Sequence, residues 1–137
     1  MTPPRLPFPT ARLLIVIALA AAGLLVTWTI VRGTVGLEEG VYRGGVIGLI
    51  AATLAHVMGT LVGAAMAAQK GALAAYMAST VVRFLLTPAL AVSLYFSLSL
   101  PSKPVLVGAA VGYLLILVAD IGTMLTAMQQ HQGSASA

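Results

Sequence analysis

The sequence predicts an all-α integral membrane protein, with four transmembrane helices arranged as two antiparallel hairpins in a single membrane domain over residues 1–137. Three observations predict it. Hydrophobic residues make up 60% of the chain and charged residues 7%, against about 25% charged in ordinary soluble domains, and the mean hydropathy is +1.05. Four apolar runs are each long enough to cross a hydrocarbon layer about 30 Å thick. The connections between runs are short, so consecutive helices must turn back on one another. Within lipid an unpaired amide costs several kcal/mol, and helix is the form that pairs the backbone of each run internally.

Taken in order, the first helix is expected from about Leu13 to Val31, the second from about Gly45 to Ala68, the third from about Ala72 to Leu100 and the fourth from about Pro104 to Met128. The first run has an alternative reading as a secretory signal, because Arg5 and Arg12 precede it and Ala18-Leu19-Ala20 resembles a small-residue cleavage site. Its continuation to Val31 exceeds the usual signal core of about 7–15 residues. "RGTVGLEEGVYR", "QKG" and "PSK" form the three connections. The Pro-rich opening "TPPRLPFP" and the tail "QQHQGSASA" are expected to be disordered, having little apolar area to bury. Basic residues balance across the membrane, Arg5, Arg12 and Lys70 on one face against Arg32, Arg43 and Lys103 on the other, so the positive-inside count gives no direction. Trp28 and Tyr42 mark interfacial depth near the first connection.

Composition also excludes function classes. The net charge of +4 comes from seven basic residues that stand singly between apolar runs, which is the pattern of membrane-flanking anchors and not of a nucleic-acid patch. The chain has no cysteine, hence no disulfide framework, thiolate metal site or thiol nucleophile. It carries no G-x-S-x-G, P-loop or H-E-x-x-H signature. Glu38 and Glu39 are adjacent in a connection and point apart. No enzymatic activity, cofactor, metal or nucleic-acid partner is expected.

Small residues recur at helix-contact spacing. Gly44, Gly48, Gly59 and Gly63 lie on the second helix, with Ala52, Ala55 and Ala67 extending the pattern, and Gly108 and Gly112 lie on the fourth. Such spacing lets backbones approach closely where lipid offers no hydrophobic drive for helices to associate. The approach is either within this bundle or between copies in a homo-oligomer.

Three ionisable residues fall inside apolar runs: His56, Arg83 and Asp120. At mid-membrane each costs at least about 2.5–3.5 kcal/mol on insertion scales. Counting about 1.5 Å per residue from the Lys70 side, Arg83 lies about 20 Å deep, His56 about 18 Å and Asp120 about 14 Å, so all three fit one layer. Each has polar neighbours on its own face: Thr53 and Thr60 beside His56, Tyr76, Thr80 and Thr87 beside Arg83, Tyr113 and Thr123 beside Asp120. Arg83 paired with Asp120 would fix helix register. The functional alternatives are a proton or ion relay, or a contact for a charged group on a partner. Pro88 cannot donate to the carbonyl of Phe84, which should kink the third helix and leave a carbonyl for the guanidinium. His56 alone is read as a hydrogen-bonded core histidine, since a metal site needs further ligands nearby.

As a whole the pattern resembles the ATP synthase I-chain family, small four-helix membrane proteins associated with F-type ATP synthases. The resemblance covers roughly Arg12 to Gln129. It rests on chain size, the glycine-rich start of the second helix in "YRGGVIG", the lone cation in "VVRFLLTPAL" and an apolar fourth helix ending close to a polar tail. Ser79 and Thr80 stand where members often carry an acid, a place Asp120 would take from the fourth helix. The resemblance implies a non-catalytic accessory protein that helps the membrane rotor assemble through contact with ATP synthase membrane subunits. It also implies a bacterial inner membrane and cytoplasmic termini. A competing class is a small dimeric transporter or ion channel with His56, Arg83 and Asp120 lining the route.

Overall fold

The computed structural model describes residues 8–99 and 102–135. They form four helices: α1 Thr10–Val35, α2 Glu39–Lys70, α3 Ala72–Leu98 and α4 Ser102–Ala135. Each is long and apolar enough to cross a membrane. The helices extend past the apolar runs because hydropathy marks the length that lipid would cover, whereas a helix ends where its backbone is capped. α1 therefore runs on to Val35, where Gly36 takes a left-handed φ of 69° and its N–H closes on the Arg32 carbonyl at 3.0 Å. That conformation is cheap for glycine alone. α2 begins at Glu39, not near Gly45, so most of "RGTVGLEEGVYR" is helical and the turn shrinks to residues 36–38.

The tail is a second correction. "QQHQGSASA" was expected to be disordered, yet α4 carries it as helix through Ala135. Lengthening an existing helix adds about one hydrogen bond per residue without a new nucleation cost, so the segment needs no apolar burial to continue the ladder. α3 ends at Leu98, and Ser99 follows in a left-handed conformation with φ 50°. The expectation for the opening residues 1–7 lies outside the described residues.

α2 is the central helix. Half of its most apolar stretch is buried in the molecule, against 6% for α1, and it packs on all three others, whereas among the described residues α3 touches α4 only sparingly and α1 not at all. The paired residues on α2 and α4 rise in number together, Gly44 beside Pro104, Gly48 beside Ala109 and Gly112 beside Ala52, so these two helices run in the same direction. On α3 the order reverses, with Gly59 against Arg83 and Gly63 against Ala75. α1 also runs against α2, Trp28 meeting Gly45 and Phe8 meeting Gly63.

Glycine decides this arrangement. A Cβ on Gly44 would lie 2.8 Å from the Pro104 Cβ, and one on Gly48 would lie 2.5 Å from the Ala109 backbone nitrogen. A Cβ on Gly108 would lie 2.8 Å from the Gly45 Cα. Backbones thus meet without intervening side chains. The apolar core beside them is made mainly of small residues, Ala51, Ala91, Val105 and Ala109, while large ones such as Ile15, Leu19, Phe84 and Phe96 point outward. Small side chains inside and bulky apolar ones outside is the distribution expected of a bundle whose surroundings are hydrocarbon.

The α1–α2 corner is tied by polar contacts. Arg32 pairs with Glu39 at 2.7 Å and stacks 4.5 Å above the Tyr42 ring. Trp28 donates through Nε1 to the Tyr42 carbonyl at 3.2 Å. These are the interfacial aromatics read from the sequence, and here they fasten two helices.

Candidate functional site

One polar cluster is buried among α2, α3 and α4. α2 supplies His56 and Thr60, four apart on one face; α3 supplies Ser79 and Arg83 at the same spacing; α4 supplies Asp120, with Tyr113 two turns before it. The first five have no exposed surface at all. Gly59 brings the cation in. A Cβ there would lie 2.8 Å from the Ser79 carbonyl oxygen and 2.9 Å from Arg83 Nε, so only glycine leaves room for the arginine stem against α2.

The guanidinium is held on two sides. Arg83 Nη1 donates to Asp120 Oδ2 in a buried ion pair, and Nη2 donates to Thr60 Oγ1 at 2.7 Å. Three helices are thereby joined through one side chain. Charge-assisted bonds of this kind are the strong ones, and a planar donor fork can serve two partners at once. The carbonyl of Phe84 freed by Pro88 was read as a target for the guanidinium, but Nη1 and Nη2 reach Asp120 and Thr60 instead. Thr87 is no ligand of the cation either: its hydroxyl donates to the Arg83 carbonyl at 2.8 Å.

His56 lies beside the pair. Its Nδ1 is 2.8 Å from the Ala52 carbonyl, and a carbonyl only accepts, so Nδ1 carries the proton. Its ring packs on Tyr113 with centroids 5.2 Å apart. Four buried atoms have no hydrogen-bond partner among the described residues: His56 Nε2, Ser79 Oγ, Arg83 Nε and Asp120 Oδ1. No group of three or more His, Asp or Glu residues placed to hold a metal ion occurs among them.

Two members of this cluster were not legible as such. Thr60 was read as a neighbour of His56, one turn away on the same helix, whereas it serves Arg83 across the interface. Ser79 was read only as the occupant of an acidic position. Helical spacing identifies a face but not which side chain on the opposite helix it meets. Conversely Thr53, Thr80 and Thr123 donate their hydroxyls to carbonyls four residues back in their own helices, a local bond that spends the hydroxyl's one proton within the helix.

All six packing glycines meet neighbours within this chain: Gly44, Gly48, Gly108 and Gly112 between α2 and α4, Gly59 between α2 and α3, and Gly63 against both α3 and Phe8 just ahead of α1. Gly45 joins them, its absent Cβ replaced by the Trp28 ring 2.6 Å from where it would stand. No family model, curated protein or solved structure matches the chain.

Proposed function

We propose that the chain is a non-catalytic accessory protein of a bacterial inner membrane, inserted as two antiparallel hairpins with both termini cytoplasmic, and that it assists assembly of the membrane rotor of an F-type ATP synthase. One observation supports an accessory role over a conduit: Arg83 and Asp120 are sealed against each other at zero exposure. A partner's carboxylate would have to displace Asp120 to reach the cation, and the small-residue faces of α2 are already taken by α3 and α4. One surface open to a partner helix is the side between α3 and α4. There an apolar groove of about 450 Å³ runs past Thr87, Pro88 and Ala91 on one wall and Ala109, Ala110 and Tyr113 on the other. Ala91, Ala109 and Ala110 leave room for the close approach of another membrane helix between the larger Phe84, Leu106 and Tyr113.

Affinity purification in mild detergent tests the reading. Rotor subunits should be recovered with the protein, and Ala110→Trp, which fills the groove from an exposed position, should reduce that recovery at unchanged expression. Recovery of the protein without any ATP synthase subunit overturns the assignment. A second reading, the dimeric transporter or channel, is favoured by the four unpartnered polar atoms at the centre of the bundle. Proton or ion flux into protein-bearing liposomes, lost in His56→Ala, would support it instead.

A further inference from the structure

We propose that the protein binds one anionic phospholipid at the end of the bundle where α2 begins, its phosphate held by Arg43 and Lys103 and an acyl chain lying along α2. The site rests on the membrane reading given above, which it makes specific to one position and one lipid class.

A groove of about 250 Å³ lies there, lined by Tyr42, Arg43, Val46, Ile47 and Leu98. Its walls change character along their length. Arg43 and Tyr42 form one end, while Val46 and Ile47 continue as an apolar wall one turn further into the bundle, opposed by Leu98 at the end of α3. A charged headgroup above an acyl chain has that same division.

Depth agrees with the chemistry. Arg43 and Lys70 flank the apolar stretch of α2 and stand about 40 Å apart along it, the thickness of a bilayer including its headgroup layers. Arg43 thus falls at headgroup level. Lys103 stands at the same level, since the next residue, Pro104, abuts Gly44.

Charge complementarity selects the anion. Of the cations at this end, Arg32 is neutralised by Glu39, whereas Arg43 and Lys103 are exposed and make no ion pair among the described residues. Glu38, the other acid here, precedes Arg43 by five residues and so lies about 140° round the helix from it. Arg43 thus borders the apolar wall and Lys103 stands at the same level on the neighbouring α4, while Glu39, one turn before Arg43 on the same face, is engaged by Arg32. A soluble acidic peptide would satisfy the charges but not the wall.

Native mass spectrometry of the full chain, released from detergent in the presence of phosphatidylglycerol, phosphatidylcholine or glycerol 3-phosphate, tests the site. Phosphatidylglycerol should be retained in preference to phosphatidylcholine. Each cation near an anionic headgroup contributes about fivefold, so Arg43→Gln and Lys103→Gln should each cut the preference by about that factor and the double variant should erase it. Lys70→Gln, at the opposite end, should leave it intact. Equal retention of the two lipids, or a preference unchanged in the double variant, overturns the site. Binding of glycerol 3-phosphate as strong as that of the whole lipid also overturns it, because the apolar wall would then be idle. Flotation with liposomes separates the two readings: a chain that floats but shows no lipid preference sinks this site alone, and a chain that floats with no liposome sinks the membrane reading and the site together.

Discussion

Arg83 is the residue on which three helices converge, and its partners decide what substitution there should do. Removing Asp120 alone leaves a buried cation with only Thr60 for company. One-sided breakage of such a pair costs about 3–5 kcal/mol, so Asp120→Asn should lower the unfolding midpoint of the detergent-solubilised protein sharply. Replacing both charges by apolar residues of similar volume removes the desolvation penalty together with the attraction, a change that is often neutral or stabilising. Arg83→Met combined with Asp120→Leu is therefore expected to recover most of what Asp120→Asn loses, measured by denaturant titration in the same detergent. A double variant as unstable as the single one would show that the paired charges add net stability that apolar packing does not replace. Thr60→Val removes one neutral acceptor and should cost about 1–3 kcal/mol, less than the loss of the acid.

At the scale of elements, α2 owes its central place to glycines whose missing side chains are filled by backbone. Gly48→Ala would set a Cβ 2.5 Å from the Ala109 nitrogen, and a backbone atom cannot swing aside as a side chain would. Overpacking of this kind costs about 1–3 kcal/mol, and α4 must shift to admit it. Gly23, on the exposed side of α1, has nothing within 4 Å of its would-be Cβ. Gly23→Ala should cost nothing and can add a few tenths of a kcal/mol through helix propensity, up to about 1. Thermal unfolding of the two variants side by side checks the contrast, and equal stability would mean that the α2–α4 contact is looser than described. The four helices and the spacing of these glycines were legible in the sequence because length, hydropathy and a four-residue repeat are local properties. Which glycine meets which helix was not, since Gly44 with Gly48 and Gly59 with Gly63 have the same pattern yet serve different partners. Helix ends were also hidden: residues 39–44 and the tail through Ala135 are polar or small enough to read as connection, and only the continued hydrogen-bond ladder makes them helix. The buried charges were legible by their cost in lipid, whereas Thr60 as an arginine ligand depends on the rotation of α2 against α3, which no single helix encodes.

For the molecule as a whole, the directions of the helices relative to one another follow from their contacts. α1 and α3 run against α2 while α4 runs with it, as the pairings Phe8 with Gly63, Arg83 with Gly59 and Pro104 with Gly44 require. If the apolar stretches lie in a bilayer, Lys70 and the start of α1 share one face, and the 36–38 turn shares the other with Lys103. The levels marked by Gly44 and Gly63 are about 28 Å apart along α2, close to the hydrocarbon thickness of about 30 Å. α4, at 34 residues, measures about 51 Å and so must project beyond that layer or tilt strongly. Projection fits its composition, since the polar residues gather after Met128. The chain has no cysteine, so single cysteines can be introduced without background. Cysteines at Lys70 and Ser134 should react with a membrane-impermeant maleimide from one side of sealed vesicles, and cysteines at Glu38 and Lys103 from the other. Labelling of Lys70 and Glu38 from the same side would mean that α2 does not cross, and the Arg83–Asp120 layer would then no longer lie at the centre of a membrane.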